Sequence, residues 1–190
     1  MLLGEPHHKL LFVDTFKNKA LAESGFMLKD VDRLSICPTN SHLICVSGGS
    51  SVKLFRVEEY TFKPLEDIKK LPKGRRITTH TWYKRKQIIV ATDRCEIMLI
   101  EEGVLPNVFE VKQEYHNVFN EPNGPGTMTV SAICTFSKGF ILGSSTGKFC
   151  LWTRKEEGGG EAEESLEISR KWGTTDERAA EVTNIEISAK

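Results

Sequence analysis

Short apolar runs recur along this chain, and they come in threes. The clearest set is Val130–Phe136, 140–144 and Lys148–Arg154, all rich in β-branched and aromatic residues. Lys138-Gly139 separates the first two runs, and Ser145-Thr146-Gly147 separates the next two. Gaps that short force neighbouring antiparallel strands. Gly147 supplies the positive φ that a three-residue hairpin with a G1 bulge needs. One such meander cannot bury both of its faces alone, so copies of it should stack.

The copies are present. Residues 31–37, 43–46 and 52–57 repeat the set, and 77–83, 87–92 and 96–101 repeat it again. Aligned on their third strands, Leu10, Val52, Ile97 and Phe149 fall in register, with steps of 42, 45 and 52 residues by subtraction. A period of about 40–45 residues with four strands per unit is the signature of a propeller blade. The pattern predicts a half blade at 8–23, a blade at 31–68 and a blade at 76–112. An insertion loop follows at 113–129, then a blade with an acidic loop at 130–168, and the first strand of a next blade at 182–190. The fold class is therefore all-β: a partial propeller of about three whole four-stranded blades with incomplete end blades. No strand is expected before Leu10, and the last outer strand is expected over 166–168. The turn Asp93-Arg94-Cys95 has no glycine at the bulge position. Left alone, the end blades would expose apolar faces, so the chain is expected to be part of a larger propeller.

Composition narrows the class. The chain has 190 residues, 39% hydrophobic and 27% charged, with a mean hydropathy of -0.30. That balance suits a globular core and gives no run near the ~20 residues of a membrane helix. The start lacks a basic segment and a long apolar segment, so no signal peptide is expected. Five cysteines, Cys37, Cys45, Cys95, Cys134 and Cys150, form no CxxC pair. Four lie inside apolar runs, where small buried thiols in a reducing compartment are expected instead of a zinc site.

Candidate chemistry is sparse. Gly143–Lys148 looks superficially like a phosphate loop, but it has one residue too few between its glycines, and Phe149 stands where magnesium would need a hydroxyl. It also joins two strands, so it reads as a hairpin turn. His7-His8 has no third ligand in view, and His80 reads as a buried, hydrogen-bonded strand histidine. No catalytic, cofactor-binding or metal-ligating residue is assigned, and no small-molecule substrate is implied.

Charge is more informative. Lysine plus arginine and aspartate plus glutamate number 26 each, yet residues 63–86 hold nine bases against Glu66 and Asp67. From Lys155 onward ten acids face five bases. Lys69, Lys70, Lys73, Arg75, Arg76, Lys84, Arg85 and Lys86 are the candidate partner-binding residues. Clustered cations speed and orient binding to anionic surfaces. Nucleic acid ranks below a protein partner, because the chain is neutral overall and only Trp82 and Tyr83 could stack on bases.

A resemblance adds to this reading. His80-Thr-Trp82, the run 88–93, the run 97–103, the turn 136–140 and the long insertion after Val111 resemble the cilia- and flagella-associated WD-repeat proteins. The likeness covers about residues 34–154. It implies a WD-repeat propeller in an axonemal protein of motile cilia. Such a protein scaffolds assembly or anchoring of inner dynein arms and their regulators, and tubulin's acidic tails become natural partners of the basic stretch. The Trp-Asp positions of ideal WD blades are filled by Val13-Asp14, Phe55-Arg56, Ile100-Glu101 and Trp152-Thr153. Phe55, Ile100 and Trp152, with Gly147, are taken as structural blade markers. The buried His-Ser-Asp network of ideal blades is expected to be mostly absent.

Overall fold

A computed structural model describes residues 2–3, 8–25, 29–116, 118–119, 128–154, 166–173 and 180–187. Among the described residues fifteen strands form four antiparallel sheets, with no helix. The first sheet holds β1 (Leu2–Leu3), β2 (Lys9–Asp14) and β3 (Lys19–Glu23). The second holds β4 (Arg33–Cys37), β5 (Asn40–Gly48), β6 (Ser51–Glu58) and β7 (Thr61–Pro64). The third holds β8 (Ile77–Tyr83), β9 (Gln87–Thr92), β10 (Ile97–Glu102) and β11 (Phe109–Tyr115). The fourth holds β12 (Val130–Phe136), β13 (Gly139–Ser144), β14 (Lys148–Arg154) and β15 (Leu166–Gly173). Every strand pairs with its neighbour in sequence, so each sheet is a meander.

The alternation of each strand fixes what it touches. On β5, Ile44 and Val46 pack with Leu10 of the first sheet, whereas Leu43 and Cys45 pack with Ile88 and Val90 of the third. On β9, Ile89 and Ala91 turn the other way, toward Phe140 and Leu142 of the fourth sheet. The core therefore lies between sheets. Phe55, Ile100 and Trp152 occupy equivalent places: each sits on a third strand, is fully or almost fully buried, and faces the preceding sheet. Trp152 stacks on Phe140, with centroids 5.6 Å apart.

The β9–β10 and β13–β14 turns share one geometry. Gly147 has φ +74°, and its N–H donates to the Ser144 carbonyl. The glycine-free turn of the third sheet does the same job with Cys95. Its φ is +54°, and its N–H donates to the Thr92 carbonyl at the same 3.2 Å. Burial of the Cys95 side chain, whose Sγ–H donates to the Met128 carbonyl, offsets the backbone strain. Gly139 is required for a different reason: a Cβ there would lie 1.9 Å from the Trp152 carbonyl oxygen.

Several boundaries differ from the sequence reading. A two-residue strand, β1, does precede Leu10 and pairs with it; two residues are too few to show alternation. The outer strand β11 runs on to Tyr115, past 112. The outer strand β15 runs to Gly173, past 168, because an edge strand with charged, solvent-facing side chains carries little apolar signal. Residues 180–187 form no strand. The Val182 N–H still donates to the Ser144 carbonyl, and Gly143 makes room for the Val182 side chain. The insertion at 113–129 is not simply a displayed loop, since Val118, Phe119 and Met128 are buried between the third and fourth sheets. Cys37, Cys45, Cys95 and Cys150 are buried free thiols, and Cys134 is partly exposed.

His80 is a buried polar link between the second and third sheets. It lies on β8 with 0% exposure, and its ring nitrogens meet Ser35 Oγ and Ser47 Oγ of the second sheet, each at 2.6 Å. A neutral imidazole suits this: one nitrogen donates to a hydroxyl oxygen and the other accepts from a hydroxyl. Burial, reinforced by nearby Arg33, pushes its pKa down to about 3. The folded state thus resists protonation that the unfolded chain accepts near pH 6.5. Stability should fall as pH drops below about 6.5, by about 2 kcal/mol from this group between pH 7 and 5. Urea midpoints of the natural chain and of His80→Gln across that window check it. The variant should lose this share of the slope, and parallel curves would remove His80 as its source.

Candidate functional site

The basic residues enter the fold in four separate places. Lys69 lies parallel to Glu110 at the outer edge of the third sheet, with its N–H donating to the Phe109 carbonyl. Lys70 reaches the Glu110 carboxylate at 3.3 Å. Lys73 is exposed in the linker that leads back to β8. Arg75 and Arg76 lie where β8 begins, beside the turn between β9 and β10. Arg75 Nε donates to both Glu96 oxygens at 3.2 and 2.9 Å; the Arg76 N–H donates to Asp93 Oδ1, and the Asp93 N–H donates to the Arg76 carbonyl. Lys84, Arg85 and Lys86 form the turn at the far end of β8. Seven strand residues at ~3.3 Å each hold the two ends roughly 20 Å apart.

The ion pairs change what these cations offer. Lys112 at 2.7 Å and Lys70 hold the Glu110 carboxyl below its ordinary pKa. Burial acts to raise Glu102, but Lys86, the Asn107 N–H and Arg56 outweigh it and keep that carboxylate ionised. Lys86 is thereby tied across the rim to the end of β10. Of the eight, Arg75, Lys70 and Lys86 serve mainly as partners of the protein's own carboxylates.

The far end of β8 gathers cations that sequence spacing does not bring together. Thr135 Oγ1 of β12 donates to the Trp82 carbonyl, which sets the ends of β8 and β12 side by side. Lys138 occupies the turn after β12, and the Arg154 N–H at the end of β14 donates to its carbonyl. Burial, and then the nearby Arg154 charge, lower the Lys84 pKa against the pull of Glu101. Lys84 Nζ also sits 5.4 Å from the Tyr83 ring centroid. Lys138 and Arg154 lie more than 50 positions beyond Lys84; only the stacking of blades makes them its neighbours. The turn itself is strained, with Lys84 at φ +46° and Lys86 at +58°.

Other candidates fare differently. His80 is consumed by its two serines. Gly143–Lys148 is a hairpin, with Ser144 Oγ accepting from the Lys148 N–H. His7 and the acidic 156–164 segment lie outside the described residues. Among the described residues no group of three His, Cys, Asp or Glu side chains could hold a metal ion, and no helix is long and apolar enough to cross a membrane. The Lys86–Glu102 tie should be measurable: Lys86→Met should cost about 1 kcal/mol at pH 7. The depressed Glu102 contributes only while ionised, so this cost should vanish as pH falls below its pKa. Denaturant midpoints at pH 7 and 3 give the comparison.

No protein-family model matches the chain, and no curated protein matches it. A solved structure does: the β-propeller domain of Myceliophteria thermophila Cps50 (Swd1), with a TM-score of 0.65 and 11% identity. The match covers 87% of this chain and 52% of that one, so the chain spans about half the length of the solved structure. At that identity the likeness speaks for the fold alone. The sheets of this chain are blades of a β-propeller, arranged as an arc of the ring.

Proposed function

We propose that this chain is a non-enzymatic interaction scaffold of the motile-cilium axoneme, allied to the cilia- and flagella-associated WD-repeat proteins. Its partners in this reading are inner dynein arm or regulatory components and tubulin. The residues that carry the family resemblance support the setting, and a rigid propeller with loops at both rims supports the scaffold role. The single observation that carries the partner assignment is the gathering of Lys84, Arg85, Lys138 and Arg154 at one rim. An anionic protein tail would find several cations there, held by strand ends and not by a loose loop.

Nucleic acid is the second reading. It would use the basic stretch 69–86 as one continuous surface, and the split of that stretch between an outer edge and two rims weighs against it.

Reversing Lys84, Arg85 and Lys138 to Glu should weaken co-sedimentation with microtubules about tenfold at low salt, and less at high salt. Reversing Lys69 and Lys70, on the outer edge, should leave it nearly unchanged. Retention of the natural chain by nucleic-acid beads but not by microtubules would favour the second reading.

A further inference from the structure

The two ends of the described arc are complementary. In the first sheet β1 pairs with β2 as β5 pairs with β6 and β9 with β10, so β1–β3 are the second, third and fourth strands of a blade. Among the described residues nothing pairs with the free edge of β1. At the other end, residues 182–187 stand as a first strand without a sheet of their own. The Val182 N–H donates to the Ser144 carbonyl at the end of β13, as the Ile77 N–H that opens β8 donates to the Gly49 carbonyl just past β5. Ser131 Oγ donates to the Val182 carbonyl, and the Val182 and Ile185 side chains lie over Gly143. The described arc thus has an extra first strand at one end and lacks one at the other.

Exposure marks both ends in the same way. Ile36 on β4 and Trp82 on β8 are equivalent: Ile36 lies opposite Ile44 and then Phe55, and Trp82 opposite Ile88 and then Ile100. Trp82 is 5% exposed, with β4 of the preceding sheet packed against its strand, whereas Ile36 is 54% exposed. On the fourth sheet Ile141, Phe149 and Leu151 are half-buried, although Ile89, Ile97 and Leu99, their equivalents on the third, are buried. Phe149 stacks on Trp172, itself 39% exposed, with centroids 5.5 Å apart. On the first sheet Leu11 and Val13 are half-buried where Met98 and Ile100 are buried. Both end faces therefore carry the apolar positions that blades inside the chain bury against each other.

We propose that two copies of this chain close one ring, the 182–187 segment of each pairing antiparallel with β1 of the other. Strands β1–β15 with 182–187 make four blades' worth, so two copies give eight, within the four to eight blades of closed propellers. The chain spans 52% of a solved propeller domain, an arc of about half a ring. The two joints are then one contact repeated by a two-fold axis, and neither apolar end face stays open. A second copy fits better than an unrelated partner because the extra strand and the open edge belong to one repeat and share its register. Carried over from β8 and β9, that register sets Val182 opposite Leu3 and Asn184 opposite Leu2.

Sedimentation equilibrium of the full chain tests this. The expected species is a dimer of about 43 kDa, twice the 21.4 kDa of one chain. Asn184→Pro removes a main-chain donor from the joining strand at an exposed position. Trp172→Glu and Leu11→Glu put charge on the two end faces. Each should raise the dimer dissociation constant about tenfold or more, because every substitution enters both joints. Lys69→Glu, on an outer edge away from the joints, should leave it unchanged. In the natural chain, amide protection of 183–187 should rise with concentration through the dimerisation range, a readout that needs no variant. A 21.4 kDa species at every concentration overturns the proposal. So does a dimer in which 183–187 gains no protection and none of the three substitutions acts. Species larger than a dimer overturn ring closure, since a head-to-tail joint that does not close grows into a filament.

Discussion

The second and third sheets are apolar on both faces, and that condition governs much of the rest. A strand covered on one side shows alternation, whereas a strand covered on both sides reads as an unbroken apolar run. Residues 43–46 and 88–91 are such runs, and all eight side chains are buried. Fully burying each large one is worth about 1.5–3 kcal/mol relative to exposure. No sheet can collect that on both faces unless it is flanked by two others. A stack of blades satisfies that pattern.

Within that apolar stack, buried His80 helps to set register. Apolar faces can slide, because dispersion has little direction. A buried imidazole caught between Ser35 and Ser47 cannot, because displacement would strand three polar groups away from water. This local Ser-His-Ser link also departs from the His-Ser-Asp network of ideal WD blades. It uses the same economy, one histidine satisfied on both nitrogens, but spends it between blades.

Rigid blades have a consequence for the rims. Strand ends are fixed by the sheets, so the turns that join them must adopt whatever backbone closes the gap. Lys84, Lys86 and Cys95 accept left-handed conformations for this reason, although none is glycine. The outcome is that cations from two blades are held close together at one rim. In a freely moving loop the cations would separate.

The order of strands and the repeat of the meander could be read from residue types, because each depends on contacts inside one unit or on the period between units. Gly147 was readable too, since a positive φ in a tight turn is a local demand. Cys95 in the same role was not, because its tolerance comes from burial against the next blade. The short β1 and the charged β15 were obscure for a related reason: their pairing comes from a neighbour's edge and leaves little mark on their own residues. Linear proximity made one patch of Lys69 through Lys86, but a strand of about 20 Å separates its halves. Folding instead joined Lys84 to Lys138 and Arg154. Pattern along a chain records which face a residue will show; which residues from other blades will meet it there is set when the sheets stack.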